Sequence, residues 1–419
     1  MFETLKNAWK ITDLRKKILY TLGLLLIFRL GTFIPIPGVN RAYIADMVNK
    51  YGVLGLLDII SGSSFKNFTI FAMSITPYIN ASIIMQLLTV AIPKLEAIQK
   101  EGEDGRKKIA QYVRYFTVVL AFIQAIGIIW GLGPQAVTDS SWFNYFTIAI
   151  SLTAGTAFIM WLGEKITENG IGNGISLIIF VGIVARMPVL AINTVQGIIN
   201  QTFNVWLLPV ILALAVALVA GVVFVDLGQR RIPVQYAKRM VGRKMYGGQS
   251  THIPMKVNSS GVLPLIFAIS IVSFPQMLTQ FFPTSAFSMW YAKFLGVGTF
   301  GYAIFYALLI IAFTYFYTAI TFNPVEVANN MKQYGGFIPG IRSGKPTAEY
   351  LSRISMRLTF FGAVFLAVLA VIPIMFSGVT GMQTAFGATA ILIVVNVALE
   401  TSKQLESQML MRHYKGFLK

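Results

Sequence analysis

The sequence predicts an all-α integral membrane protein, and three observations predict that class. Hydrophobic residues make up 56% of the 419 positions, only 12% are charged, and the mean hydropathy is +0.69. Long apolar runs recur along the whole chain, and the basic residues between them gather in alternate segments. Because a soluble core of this size would use far less apolar surface, the chain is expected to reside in a membrane.

Ten apolar runs are each predicted to cross the membrane as an α-helix. Crossing ~30 Å of hydrocarbon in this conformation needs roughly 17 to 25 apolar residues. The charged residues within the ten runs are Arg29 and Arg186. The predicted spans are 18–36, 74–92, 115–132, 147–163, 174–192, 205–225, 262–282, 301–322, 358–376 and 385–399.

The distribution of Lys and Arg sets the predicted orientation. With the N-terminus inside, 28 of the 34 Lys and Arg residues lie before the first span or after an even-numbered span. Because the side richest in these residues stays cytoplasmic, we expect a multi-pass protein with both termini in the cytoplasm. The expected halves, of five spans each, are 1–192 and 193–419, the second with large cytoplasmic loops at 226–260 and 323–357.

Two prolines occupy corresponding helices of these halves. Pro77 lies in the second predicted span and Pro264 in the seventh, which is the second span of the C-terminal half. Helix interruptions at corresponding positions point to the working site of membrane proteins built from two related halves. The alternative is that Pro77 merely lies in a first helical turn, where proline is well tolerated.

The stretch "GLLDIISGSSFKNFTIFAM", Gly55 to Met73, precedes the second span and is a poor span itself. It carries Asp58, Lys66 and a Ser/Gly centre, yet its apolar residues recur at helical spacing. If it crossed the bilayer, the basic N-terminus would face the side opposite the other basic segments. We therefore expect a weak, non-spanning amphipathic helix, which is tolerated at membrane depth only inside protein or beside a water-filled cavity.

Residues suited to catalysis or metal coordination are scarce. The absence of cysteine excludes disulfides and thiolate sites, and the two histidines, His252 and His413, lie in separate basic segments. The glycines of "NGIGNGIS", 169–176, follow no predicted strand and indicate a nucleotide site only very weakly. We expect no enzyme, no cofactor and no bound metal.

Two functions remain open, a pore and a small-solute secondary transporter. An ion-coupled transporter usually keeps ionisable groups at mid-membrane, whereas none of the 16 acidic residues lies in a predicted span. A pore lined by apolar side chains needs no charge and can close by dewetting. The sequence therefore favours the pore.

Eight motifs follow one another between the predicted spans. They read "FRLGTFIPIPGV", "IFAMSITPYINASIIMQLL", "EGEDGRKKIAQYVRY", "WLGEKITENGIGNGIS", "GQRRIPVQYAKR", "STHIPMKVNSSGVLPLIFA", "NPVEVANNMKQYGGFIPGIRSGKPTAEYL" and "RLTFFGA". In content and order they resemble the SecY family, the central subunit of the bacterial Sec protein-conducting channel. One departure is Ser74, where many members of that family carry Gly.

The resemblance implies a channel that passes unfolded secretory polypeptides across the bacterial plasma membrane. It implies an hourglass pore between two pseudo-symmetric halves and a lateral gate between the second and seventh helices. Signal peptides and transmembrane segments of nascent polypeptides would leave through this gate into membrane lipid. The implied partners are the SecE and SecG subunits, the SecA ATPase and the ribosome with its ribosomal RNA. The chain has no phosphate-binding loop, so its energy must come from a partner.

The resemblance places the central constriction of the pore at six isoleucines. β-Branched side chains are stiff, so a ring of them would make a firm apolar collar that water and ions wet poorly. Isoleucine is also common in any membrane helix, which is the plain alternative. The ring residues are Ile75, Ile79, Ile175, Ile179, Ile266 and Ile393.

The resemblance also assigns a plug and a lateral gate. The plug, at about Gly55 to Lys66, would rest beneath the isoleucines and be pushed aside by a passing chain. Gln86 and Asn258 are the gate candidates, since interhelical polar contacts worth about 0.6 to 2 kcal/mol each suit a latch that a signal peptide can open. Ordinary interfacial polarity is the alternative for both. The expected plug residues are Leu57, Asp58, Ile60, Ser61, Gly62, Ser63 and Phe65.

Basic residues of the two large loops are expected to bind SecA or the ribosome. Positive loops suit RNA phosphates or an acidic protein surface, and Arg342 matches the tip arginine of the family. The positive-inside rule and anionic lipid account for basic loops equally well. The candidates are Arg230, Arg231, Lys238, Arg239, Arg243, Lys244, Arg342 and Lys345.

Overall fold

A computed structural model describes residues 2–50, 58, 61–200, 207–236, 239–241, 244–246, 250–281, 285–296, 299–380 and 385–416. Its helices are α1 (Phe2–Lys10), α2 (Thr12–Gly31), α3 (Arg41–Lys50), α4 (Thr76–Ala91), α5 (Pro93–Lys100), α6 (Glu103–Leu132), α7 (Trp142–Asn169), α8 (Gly174–Ile199), α9 (Leu207–Leu227), α10 (Leu263–Phe281), α11 (Ala286–Leu295), α12 (Phe300–Thr321), α13 (Pro324–Gln333), α14 (Lys345–Thr380) and α15 (Ala385–Gly416). Its strands are β1 (Gln229–Tyr236), β2 (Arg239–Val241), β3 (Lys244–Tyr246), β4 (Ser250–Lys256) and β5 (Gly336–Phe337).

Each of the ten predicted spans coincides largely with one α-helix, namely α2, α4, α6 to α10, α12, α14 and α15. Within the described ranges, four helical stretches are long and apolar enough to cross a membrane, and α4 with α5 makes a fifth candidate that is bent by 100°. The ten-span count therefore stays a prediction. The four stretches are Glu103–Leu132, Trp142–Asn169, Phe300–Gln333 and Lys345–Ile372.

The helices pack in two groups that meet along two seams. In the first group α7 contacts α2, α6 and α8, and α4 contacts α6. In the second group α12 and α15 both contact α14, α10 contacts α12, and α9 contacts α15. Between the groups, α10 contacts α4 and α6, while α8 contacts α15. The domain boundary at 192 stays a prediction, and α8 continues past it to Ile199.

The prediction of an all-α protein is wrong at one end of the bundle, where the two large basic loops form a small sheet. Its strand order is β4-β1-β5, so one loop supplies β1 and β4 and the other supplies β5. Both pairings are antiparallel, with Gln229 opposite Lys256 and Gln235 opposite Phe337. Ile232 and Val234 alternate inward from β1 and pack on residues of the second loop, as expected for a half-buried strand. The two loops are therefore one unit, which we call the basic end.

Pro77 and Pro264, the two prolines at corresponding positions of the predicted halves, do not interrupt their helices. Pro77 is the second residue of α4, and Pro264 is the second residue of α10. A proline in the first turn loses no helical hydrogen bond, because its missing N–H would be unpaired there anyway. The structure thus favours the alternative weighed for Pro77. Other prolines lie well inside helices, namely Pro188 in α8, Pro275 in α10 and Pro373 in α14.

Residues 61–75, which we call the turn segment, are a run of turns, so the helix expected up to Met73 is wrong for this part. Among the described residues, every non-glycine with positive φ lies in it: Ser63 at 71°, Phe68 at 44° and Ser74 at 51°. Such angles do not belong to a right-handed helix. The turn segment instead hydrogen-bonds to the residues after α2, through Ile36 N to Phe68 O and Ile70 N to Ile34 O, each 3.1 Å.

We expect Ser74→Gly to stabilise the protein by about 1 kcal/mol. A non-glycine at positive φ stores about 1–3 kcal/mol of strain, and the buried Ser74 hydroxyl has no hydrogen-bond partner within the described structure. The greater flexibility of glycine when unfolded offsets part of the gain. The thermal unfolding midpoint in detergent should rise, whereas Ser141→Gly, at φ −69° before α7, should not raise it. An unchanged or lower midpoint for Ser74→Gly would contradict this explanation.

Candidate functional site

The six isoleucines of the expected ring come together in one apolar cluster. They belong to four helices, α4, α8, α10 and α15, with Ile75 directly before the first residue of α4. Five are buried, and Ile175 is half-buried and packs against the others. The cluster continues well beyond these six into the bundle, so clustering alone does not single them out. Their role as a pore constriction stays a prediction.

A polar cavity of about 530 Å³ lies on the basic-end side of these isoleucines. On three of the four helices it is lined by a residue three positions, or about one turn, from a ring isoleucine. An ion pair of Lys403 and Asp226 contributes to its wall, so the cavity is suited to water. The neighbouring residues are Ser176 and Ile179, Leu263 and Ile266, and Asn396 and Ile393.

One stripe of α8 runs from this cavity past the isoleucines to the turn segment. Ile175, Ile179, Gly182 and Arg186 follow one another at intervals of four, three and four, which places them on one face of the helix. A Cβ on Gly62 of the turn segment would lie 2.9 Å from the Gly182 Cα. The backbones therefore touch at this point, two glycines making the contact possible.

An ion pair joins the end of this stripe to Asp58. The Arg186 Nη1 lies 2.6 Å from the Asp58 Oδ2, and the two side chains are 17% and 1% exposed. The backbone N–H of Lys66 donates to the other carboxylate oxygen at 2.8 Å. Burial raises the pKa of the Asp58 carboxyl above its ordinary value, and the charge of Arg186 opposes that rise. Asp58 is thus a buried, fully engaged carboxylate outside the predicted spans.

The second arginine of the predicted spans contacts the same place. Arg29 on α2 donates through Nη1 to the Gly62 carbonyl oxygen at 3.2 Å, and its guanidinium lies 5.0 Å from the centre of the Phe33 ring. The two charged residues that lie inside predicted spans therefore bind Gly62 and Asp58. No sequence signal linked them to that stretch.

The apolar residues of the turn segment divide between two clusters. Phe65 and Phe68 are buried against α3, α6 and α7, apart from the isoleucines, so the expected stripe beneath the ring is wrong for them. Phe71 joins the isoleucine cluster and stacks on Phe28 with ring centres 5.8 Å apart. Leu57 and Ile60 lie outside the described residues.

Hydrogen bonds join the start of the turn segment to the backbone of Asp58. The Ser61 hydroxyl donates to the Asp58 carbonyl at 3.2 Å and accepts from the Phe65 N–H at 3.1 Å. The Ser63 N–H donates to the same Asp58 carbonyl at 2.9 Å. The serines expected in the plug thus satisfy backbone groups around Asp58.

The two gate candidates are not joined by a hydrogen bond. Asn258 is buried, and its side chain bonds within its own loop, donating to the Gly261 carbonyl and accepting from the Ser260 hydroxyl. Gln86 is half-buried on α4. Their helices are neighbours, because α10 contacts α4. A gate role for either side chain stays a prediction.

The basic candidates lie at the basic end where they are described. Arg230 and Arg231 are exposed on β1. Arg342 and Lys345 are exposed at a tip bounded by Gly340 at φ +79° and Gly344 at φ +100°, angles that favour glycine. Arg239 belongs to β2 and Lys244 to β3, where the structure describes the backbone but not these side chains. Lys238 and Arg243 lie outside the described residues.

An apolar groove of about 400 Å³ lies between α2, α8 and α15. Its walls come from both helix groups, with Leu22 and Phe180 from the first and Val397 from the second. Metal-ligating clusters offer no alternative site: in the described ranges, no three His, Asp or Glu side chains are grouped so as to hold an ion.

Comparison with known sequences gives a full-length match. The profile of the SecY family matches residues 69–402. The chain is 48% identical to the protein translocase subunit SecY of Halalkalibacterium halodurans, with 100% of both chains covered.

Comparison with solved structures gives the same fold at low sequence identity. One is a SecY structure described as showing that the plug domain stabilises the closed state of the translocation channel and maintains a membrane seal. It is similar with a TM-score of 0.69 at 19% identity, covering 94% of this chain and 92% of that one. Sec61 in the canine ribosome-channel complex from the endoplasmic reticulum is similar with a TM-score of 0.64 at 17% identity, with the same coverage.

We expect Gly62→Ala to destabilise the protein more than Gly335→Ala. Both residues have positive φ, 65° and 71°, so both substitutions introduce backbone strain of about 1 kcal/mol. Only the new methyl at position 62 also meets backbone, at 2.9 Å, whereas nothing lies within 4 Å at Gly335. The thermal midpoint in detergent should fall further for Gly62→Ala, by the equivalent of about 1 kcal/mol or more. Equal shifts would show that the contact with Gly182 is not tight.

Proposed function

This chain belongs to the SecY family of protein-conducting translocation channels, and from that premise we propose how its residues close the channel and admit a polypeptide. The observation that carries the proposal is the order along α8. A polar cavity, the isoleucines and the contacts with Gly62 and Asp58 follow one another on one side of this helix. A polypeptide would enter through the cavity from the basic end and pass the isoleucines before it displaces the plug. The match to translocase subunits does not favour the small-solute transporter.

We infer that the six isoleucines form the constriction between the polar cavity and the plug. Support comes from their origin on four helices of both groups and from their burial in one apolar cluster. Their stiff side chains offer a passing chain no hydrogen bond or charge, so no sequence is preferred. An apolar neck of this kind can exclude ions by dewetting while no chain fills it.

We infer that Asp58 and residues 61–66 act as the plug. Gly62 and Asp58 contact α8 beyond the isoleucines, on the side away from the polar cavity. In its described part the plug combines polar contacts and turns around Asp58 with one buried aromatic side chain, Phe65, and such local contacts suit a segment that must leave and return.

A lateral gate between α4 and α10 is the proposed exit for signal peptides and transmembrane segments. These are the second and seventh predicted spans, and they contact each other across the seam between the helix groups. Gln86 and Asn258 remain the candidate polar residues of this gate, with Asn258 acting from the loop before α10. The self-contained hydrogen bonds of Asn258 make it a candidate for holding that loop rather than for bridging to Gln86.

The basic end is the proposed docking site for SecA and for ribosomal RNA. The sheet joins the two loops into one surface that carries Arg230, Arg231 and, at its glycine-bounded tip, Arg342. Positive charge on a rigid support suits phosphate groups or acidic side chains. The structural relative solved in a ribosome-channel complex supports the ribosomal partner. This end would face the cytoplasm of a bacterial cell, as would both termini, with the chain in the plasma membrane.

The apolar groove between α2, α8 and α15 is the proposed contact surface for the SecE subunit. A helix lying in it would touch both helix groups and so hold them together while they part elsewhere. SecG is proposed as a further, peripheral partner.

We expect serine substitution of the ring to raise the ion conductance of the resting channel. Replacing Ile79, Ile179 and Ile393 together by serine lets water wet the neck, and bilayer recordings should show about a threefold or larger increase. The control replaces Ile123 and Ile150, which are 58% and 45% exposed on the outside of the bundle, by serine. Its conductance should equal that of the parent. An unchanged conductance in the ring variant would reject the assignment.

Reconstituted vesicles test the function itself. With SecE, SecG, SecA and ATP, the wild type should carry a preprotein into a protease-protected space, and small-solute uptake alone would support the transporter instead. Reversing the tip charge with Arg342→Glu should cut SecA-driven transport at least about tenfold, because it repels an acidic partner. Lys332→Glu, a reversal at an exposed position of the same loop, should leave transport within about twofold of wild type. Equal loss in both variants would indicate only a general charge effect.

A further inference from the structure

Two arginines inside predicted spans have no role in the ring, the gate or the basic end, yet both bind the plug. We propose that Asp58 and Arg186 form an ion-pair lock that positions the plug against α8, and that Arg29 holds the plug backbone beside it. The inference rests on the proposed channel function and adds the residues that set how readily the plug leaves.

The geometry makes this contact specific. The carboxylate of Asp58 uses both oxygens, one for the Arg186 guanidinium at 2.6 Å and one for the Lys66 N–H at 2.8 Å. Arg29 on α2 donates a hydrogen bond to the carbonyl oxygen of Gly62, whereas Arg186 lies on α8. The plug is thereby fixed to two helices by side chains that reach it from each.

Burial decides what happens when one partner is removed. Moving two charges out of water costs about as much as their attraction returns, so such a pair adds little net stability. A single remaining charge is different, because it stays buried with no opposite charge beside it. With the Asp58 side chain 1% exposed, loss of Arg186 should disfavour the seated plug strongly. The lock therefore fixes position without making the plug hard to displace.

Protonation of the Asp58 carboxylate should also change how readily the plug leaves its seat. The charged groups that face Asp58 are Arg186 from α8 and Lys66 from its own segment, with Arg29 from α2 at Gly62. Burial raises the pKa of the seated carboxyl, and a displaced carboxyl in water returns to its ordinary value. The seated state then binds the proton more tightly, so lower pH favours seating. Without Arg186 this preference becomes stronger, because the charge that opposes the rise is gone.

Thiol labelling measures the lock directly. The chain contains no cysteine, so Ser64→Cys gives a single thiol. Ser64 is fully buried and its hydroxyl has no partner in the described structure, so the near-isosteric thiol should fit. The complete channel in vesicles is treated with a membrane-impermeant maleimide on the side opposite the basic end. The labelling rate then reports how often the plug leaves its seat.

The Ser64→Cys protein is the parent of all further variants. In it we expect Arg186→Met to raise the labelling rate at least about tenfold. Adding Asp58→Asn should return the rate to within about threefold of the parent, because no charge is left unpaired and the Asn oxygen still accepts from the Lys66 N–H. When the pH is lowered from about 8 to about 6, the labelling rate of Arg186→Met should fall toward that of the parent at the same pH. The labelling rate of the double variant should not change in this way. Arg114→Met, which breaks an ion pair of 2.7 Å with Glu164 between α6 and α7, is the matched control and should label like the parent.

Three outcomes would overturn the lock: Arg186→Met labelling like the parent, Asp58→Asn adding to its effect instead of reversing it, or Arg114→Met matching it. If Arg186→Met does not accumulate, Arg186→Lys replaces it, and about a threefold rise is expected because the shorter lysine side chain cannot place its charge where Arg186 Nη1 contacts Asp58. Preprotein transport by wild-type vesicles and by the Ser64→Cys parent is measured in parallel. Transport with unchanged labelling rejects the lock alone, whereas no transport by the wild type rejects the proposed function.

Discussion

Charged side chains inside an apolar helix bundle must find partners, and the arrangement around the plug follows from this constraint. Arg29 and Arg186 lie in helices that otherwise carry no charge within their predicted spans. An unpaired charge there would be costly, since neither lipid nor apolar side chains can solvate it. Both find polar groups of the short stretch at 58–62. The same contacts that satisfy the arginines therefore fix a non-spanning segment beside the isoleucines.

Helix α8 gives the site its order. Four residues along one face have different surroundings in turn. Ser176 lines the polar cavity and Ile179 belongs to the apolar cluster. Gly182 packs against Gly62, and Arg186 forms an ion pair with Asp58. A helix advances 1.5 Å per residue, so the ten steps from Ser176 to Arg186 span about 15 Å. A polar cavity, an apolar cluster and the contacts with Gly62 and Asp58 are thus arranged along one helix, and a movement of α8 would act on all three together.

Backbone strain and polar contacts in the turn segment together determine how firmly this segment is held. Positive φ at Ser63, Phe68 and Ser74 stores energy that neighbouring contacts must offset. The contacts available are local hydrogen bonds around Asp58, the two arginines, and aromatic side chains divided between two apolar clusters, Phe65 and Phe68 in one and Phe71 in the other. The strain lowers the net stability of these contacts, so a local opening of the segment costs less than the contacts alone would indicate. At the basic end, by contrast, the strands share one buried apolar layer, which joins the two loops firmly.

Composition, apolar runs and the placement of Lys and Arg were enough to predict a membrane protein, because crossing a bilayer constrains length and polarity directly. Motif order was enough to identify the family, and the position of each apolar run matched a helix. Local sequence could not predict the sheet, since β5 pairs with β1 a hundred residues away in the chain. It predicted a helix where the turn segment forms, because apolar spacing carries no information about the positive φ that Ser63 and Phe68 adopt. It also left Arg29 and Arg186 as isolated charges. Only tertiary packing could show that both meet one plug, because hydrogen bonds and ion pairs join groups that are distant in sequence and close in space.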